Sequence, residues 1–289
     1  MPIGPILIII SNLLLLCALV IMPNFFIYKT HNILTLGVAN LILGVTVLIY
    51  WKVKKKLPTK DQWLRIIIWG ICYSVIYSIY LYLPNLVSPS FFVLAETIAP
   101  YLGLFFAGKA LQFVNSYKFH FSYSIPTIIL VLLSLDKVFN NGEFDWAGIS
   151  VLASLTTLQG LSQASARKLG ECMGGVEAAM ALSLFTGPLL IISLFFKIQS
   201  VGLPPLPQLF SLALLMAVIG LLAVSTFVKG LSTTPHGPSL PLISSIVPMS
   251  LISDYLLNKE ITKLSAVLSV FFLISISISS LISGNKREA

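Results

Sequence analysis

Apolar runs of about twenty residues, the length that crosses a bilayer as helix, recur from one end of this sequence to the other. Only short clusters of charge, Pro, Gly and Asn break them. A hydrocarbon core about 30 Å thick contains no water to satisfy a backbone, so each crossing segment must close its own hydrogen bonds as a helix or join a closed barrel. Composition agrees: 57% of the 289 residues are hydrophobic and 10% charged, with a mean hydropathy of +0.95. Soluble domains carry roughly 25% charged residues. The expectation is an all-α polytopic membrane protein.

Ten spans can be read, near 3–23, 32–51, 62–83, 89–108, 118–135, 146–166, 175–197, 207–229, 237–257 and 263–283. The first lacks the basic start and small-residue cleavage site of a signal peptide and is long enough to span, so it is kept as a helix. The polar stretch LDKVFNNGEFDW (135–146) falls between the fifth and sixth spans and divides the chain into 1–140 and 141–289. Cys17, Cys72 and Cys172 stand alone, and His31, His120 and His236 are far apart, so neither a disulfide framework nor a metal site is expected.

The basic residues set orientation. With the N-terminus in the cytoplasm, Lys52, Lys54, Lys55, Lys56, Lys60 and Arg65 fall inside, together with Lys109, Lys118, Arg167, Lys168, Lys229, Lys286 and Arg287. Lys29, Lys137, Lys197, Lys259 and Lys263 are left outside. An even number of spans then puts both termini in the cytoplasm. The WKVKKKLPTK cluster reads as a topology anchor, and the net charge of +8 calls for no nucleic acid.

The two halves echo one another. SPSFFVLAETIAPYLGLFFAGKALQ (88–112) and GPSLPLISSIVPMSLISDYLLNKE (237–260) align with Pro100 on Pro248 and Gln112 on Glu260, both at an offset of 148. Five spans per copy is odd, so the second half is inverted relative to the first. Inverted repeats of this kind place a substrate near the midplane where the halves meet.

GISVLASLTTLQGLSQASARKLG (148–170) resembles the opening helix of a repeat in the drug/metabolite transporter superfamily, EamA-like branch. Residues 237–282 resemble its closing helix pair, with the helix-centre proline at Pro248 and the short acidic turn at Glu260. The first half keeps Pro100 but has Gln112 where the family usually has Glu. The resemblance covers nearly the whole chain. It implies ten transmembrane helices as two inverted five-helix repeats, a central cavity and alternating access. Substrate and coupling ion do not follow from it.

Glu96 is the main candidate for chemistry. It lies roughly 12 Å into the fourth span at 1.5 Å per residue, where an acid costs on the order of 2.5–3.5 kcal/mol. It is expected to face a cavity, as a partner for a cationic group or a site of proton coupling; the alternative is a structural carboxyl held by a neighbouring helix. Pro100 and Pro248 break the helix hydrogen bonding beside it, and Thr97, Ser244 and Ser245 sit around the two kinks. Tyr73 and Tyr77 share one helical face and offer an aromatic wall. Gln159 and Asn12 add polar groups within their spans; helix–helix hydrogen bonding explains them equally well.

The expected function is a secondary transporter of a neutral, zwitterionic or cationic metabolite, such as an amino acid, in a bacterial cytoplasmic (inner) membrane. The protein would act as monomer or homodimer, with the lipid bilayer as its surroundings and without cofactor or metal. Arg65, Arg167 and Lys229 are expected at the inner surface, which leaves no deep cation for a polyanion. No phosphate-binding loop or H-E-x-x-H helix is present. The competing classes are a lipid-modifying membrane enzyme and a channel or auxiliary subunit.

Overall fold

The computed structural model describes residues 3–21, 28–82, 146–234 and 263–285, with isolated positions at 99, 102–103, 125–126, 128–129, 132, 242–243, 245, 248–249 and 252. Among these residues the fold is entirely helical: α1 (Ile3–Ile21), α2 (Lys29–Lys54), α3 (Lys60–Tyr82), α4 (Trp146–Met173), α5 (Gly175–Ser193), α6 (Phe195–Val201), α7 (Leu206–Thr233) and α8 (Lys263–Asn285). Thr30–Lys54, Lys60–Ile79, Gly175–Ser193 and Leu206–Thr233 are long and apolar enough to cross a membrane. The fourth, fifth and ninth expected spans fall largely outside the described residues.

Local chemistry fixes the helix ends. Lys55 adopts a left-handed conformation (φ 50°) and its cap returns amide hydrogen bonds to Trp51 and Lys52, closing α2. Thr59 and Gln62 open α3 as a reciprocal capping box: the Thr59 amide donates to Gln62 Oε1 at 2.8 Å, and the Gln62 amide donates to Thr59 Oγ1 at 3.4 Å. Gly174 (φ 83°) alone separates α4 from α5, a backbone angle that glycine adopts without strain. The α4 helix continues seven residues past the expected end at 166, to Met173. There Glu171 takes Lys168 Nζ at 2.8 Å and approaches Arg167 Nε at 3.6 Å, so the charged turn is held as helix. The expected seventh span is divided at Leu194, where α5 ends and α6 begins.

The distribution of polarity is that of a protein in lipid. Ser11, Asn12, Thr35, Ser74, Ser162, Gln163, Ser183, Thr186, Ser265 and Ser269 are buried. Ile49, Ile192, Val218 and Phe271 stand more than half exposed. In water that would leave a large apolar surface unsatisfied; in a bilayer it is the expected arrangement. Helix association then depends on close packing and interhelical hydrogen bonds, because lipid tails are as apolar as leucine.

Close packing is what the glycines provide. The most extensive contact joins α2 to α5. A Cβ on Gly187 would lie 2.5 Å from the Leu41 nitrogen, and one on Gly44 would lie 2.9 Å from the Leu184 Cα. The two backbones therefore touch. The other principal contacts are α1 with α7, α3 with α5, α3 with α4, and α2 with α7. Among the described residues, helices from residues 1–140 pack far more against helices from 141–289 than against one another.

Candidate functional site

The structure brings two of the expected site residues into direct contact. Asn12, on α1 and 3% exposed, donates through Nδ2 to Ser245 Oγ at 2.8 Å and to the Leu242 carbonyl at 3.0 Å. On the other side of that bond, the Ser245 amide donates to the Leu242 carbonyl at 3.2 Å, a three-residue turn rather than an α-helical step. The Met249 amide then donates to the Ser245 carbonyl at 3.1 Å, past buried Pro248. Proline supplies no amide hydrogen and disfavours helix in the residue before it. Asn12 thus serves a carbonyl of a tightened turn before Pro248.

Tyr73 and Tyr77 do lie on one face of α3, and the face extends further than expected. Trp69 stacks on Tyr73 with ring centroids 4.2 Å apart and planes 21° apart, and Tyr73 meets Tyr77 at 6.0 Å and 52°. Trp69 precedes Tyr73 by one turn, so the same four-residue spacing that marks the tyrosines also marks it. Tyr73 packs against the buried cluster that contains Ile8, Trp69, Leu242 and Ile243. The aromatic ladder and the Asn12–Ser245 bond therefore border the same interior. Tyr77 instead packs with Ile33, Leu34, Leu190, Leu194 and Leu209.

Gln159 receives a hydrogen bond from Gln163 Nε2 at 3.3 Å on α4. Gln163 is buried, and its Oε1 has no partner among the described residues. One turn on, the Arg167 side chain is only 12% exposed, more enclosed than an inner-surface residue was expected to be. Its Nη2 donates to the Thr234 carbonyl at 3.1 Å, while Nη1 and Thr234 Oγ1 are buried with no partner among the described residues. Burial pulls the Arg167 pKa down and the neighbouring Glu171 carboxylate opposes that shift. Glu96, Thr97, Pro100 and Ser244 lie outside the described residues.

The remaining polar contacts define the two ends of the bundle. Trp51 Nε1 on α2 donates to Glu177 Oε1 on α5 at 2.9 Å, and Trp51 meets Trp63 edge-on at 5.6 Å. Arg65, Arg167, Lys168 and Lys229 come to this end, as do Lys52 and Lys54. At the other end His31 Nε2 donates to the Gly202 carbonyl at 3.0 Å. The Trp51–Glu177 bond spans 126 residues of sequence; no local pattern reveals it.

Helices long and apolar enough to cross a bilayer, with exposed aliphatic faces, mark the class: an integral membrane protein. No protein-family profile and no curated protein matches the chain. Among solved structures, one described only as "Crystal structure of protein" is similar, with a TM-score of 0.68 and 10% identity, over 100% of this chain and 98% of that one. That likeness concerns the fold alone.

Proposed function

We propose that this protein is a secondary transporter with ten transmembrane helices in two inverted halves, of the EamA-like type that its sequence resembles. The carrying observation is the pattern of helix partners. Exchanging the halves maps α1 onto α4, α2 onto α5 and α3 onto α7. Under that exchange the α1–α7 contact becomes α4–α3, the α2–α7 contact becomes α5–α3, and α2–α5 maps onto itself. All five contacts occur, whereas α5–α7 and α4–α7 have no counterpart of similar extent among the first-half helices described. A pseudo-two-fold passing between α2 and α5 accounts for the five together, and inverted halves of this kind rock about a shared site to give alternating access.

The site would lie between the Trp69–Tyr73 wall and the Asn12–Ser245 kink, with Glu96 as the charge that binds a cationic group or carries a proton. The basic residues gathered at the Trp51–Glu177 end support placing that end, and with it both termini, in the cytoplasm. A bacterial inner membrane fits the short loops. Arg167 already faces Glu171 and the Thr234 carbonyl. Its charge is thus partly compensated, which favours neutral, zwitterionic or cationic metabolites over polyanions.

The test is uptake and counterflow in proteoliposomes with amino acids, amines, vitamins, nucleosides and sugars. Saturable counterflow of one class supports the reading. Accumulation that follows ion flux without saturation would instead indicate a channel. Turnover of labelled lipid would indicate an enzyme.

A further inference from the structure

We infer that the hollow beside Lys229 is a binding site for the headgroup of an anionic phospholipid. The hollow is open, about 290 Å³, and lined by Leu7, Gly175, Val176, Ser225, Thr226 and Lys229. It is therefore built from three helices, α1, α5 and α7, where they meet at the basic end of the bundle.

Charge selects the occupant. Lys229 is exposed and forms no ion pair among the described residues. Among the described residues no carboxylate lines the hollow. The nearest acid along α5, Glu177, is turned to α2, where it accepts from Trp51 Nε1. Glu171 on α4 is occupied with Lys168. The site thus carries one uncompensated positive charge, suited to a phosphate without an accompanying ammonium. Gly175 fixes the position of that charge: a Cβ there would lie 3.2 Å from Lys229 Cβ and 2.7 Å from the Ser225 carbonyl oxygen. The lysine stem consequently rises from a close approach of α5 and α7.

The polarity along α7 selects a lipid rather than a soluble anion. Counting from Lys229 into the bundle, Thr226, Leu222 and Val218 follow at helical spacing on one face. Leu222 and Val218 are 51% and 59% exposed. Their distance from Lys229 is roughly 10 to 17 Å at 1.5 Å per residue. The face therefore runs from a cation, past hydroxyl groups, to an exposed aliphatic lane. That order matches phosphate, ester region and acyl chain. Basic pockets between membrane helices are a recognised setting for anionic headgroups. The inference rests on the protein being in a membrane, and stands whether or not it transports.

The experiment is native mass spectrometry of the full chain, delipidated and titrated with phosphatidylglycerol or phosphatidylcholine. The expected result is preferential retention of phosphatidylglycerol, weakened about fivefold by Lys229→Gln, the effect of roughly one lysine at a membrane surface. Lys229→Arg and the control Lys168→Gln should keep it. Val176→Glu, at an exposed rim position, should lower it without altering the lysine. Equal retention of both lipids, or undiminished phosphatidylglycerol binding in both Lys229→Gln and Val176→Glu, would overturn the inference. So would full displacement of the lipid by millimolar inorganic phosphate, which would make this a soluble-anion site.

Discussion

Asn12 Nδ2 and Ser245 Oγ share a 2.8 Å hydrogen bond across 233 residues of sequence, with both side chains buried. The bond ties α1 to the turn that precedes Pro248, so one side chain joins that turn to the first helix. Asn12→Ala would take from Ser245 Oγ its Asn12 donor and leave the Leu242 carbonyl with the Ser245 amide as donor. An unsatisfied buried polar group costs about 1–3 kcal/mol. The mutant should unfold at a correspondingly lower denaturant midpoint in mixed micelles. Restoring the wild-type midpoint with Asn12→Ala/Ser245→Ala would identify the lost pairing as the cause; Asn12→Ala alone at the wild-type midpoint would refute the role.

The backbone contact between α2 and α5 should tolerate no side chain. Gly187 meets the Leu41 backbone, whereas a Cβ on Gly220 would meet nothing within 4 Å. Gly187→Ala should therefore destabilise by about 1–3 kcal/mol, the usual cost of overpacking. Gly220→Ala should be neutral or stabilising by up to about 1 kcal/mol, from helix propensity. Similar unfolding midpoints for the two variants would mean that α2 and α5 do not touch as described.

The spans were legible in the sequence because bilayer thickness forces their length: expected 32–51 and 62–83 lie within or nearly within α2 and α3. The ends were less so, since Lys52, Lys54 and Lys168 are polar residues that nonetheless continue a helix beyond the apolar stretch. The break at Leu194 carries no proline or glycine of its own and was not anticipated. For the site, four-residue spacing disclosed the shared face of Tyr73 and Tyr77. It could not disclose which helix that face meets. Asn12 stood out as a polar residue amid apolar ones, yet its partner lies in the other half, and only tertiary packing brings Ser245 to it.

Trp51 and Glu177 supply a second tie between α2 and α5, at the basic end. Trp51→Phe keeps most of the ring packing and removes the donor. A hydrogen bond to a charged group contributes about 1.5–3 kcal/mol, so the unfolding midpoint should fall. Glu177→Gln retains an acceptor oxygen and should fall less. In a double-mutant cycle with Glu177→Ala, the pair should show coupling of at least about 0.5 kcal/mol, the range seen for residues in contact. Additive effects would mean the 2.9 Å bond contributes nothing to the fold.

Tyr73 separates a structural wall from a substrate wall. Tyr73→Phe preserves the stack on Trp69, and ring pairs of this kind contribute about 0.5–1.5 kcal/mol beyond burial. Its unfolding midpoint should stay near wild type, while Tyr73→Leu, which loses the stack, should fall. On the transporter reading the two variants diverge again in ligand binding. With a transported metabolite in hand, Tyr73→Phe should weaken its affinity at unchanged stability if the hydroxyl meets the substrate, measured by quenching of Trp69 fluorescence against a Trp69→Phe control. Affinity retained in Tyr73→Phe but lost in Tyr73→Leu would assign recognition to the ring face instead. Affinity retained in both would remove the α3 ladder from the site and leave the Asn12–Ser245 kink as its remaining described border.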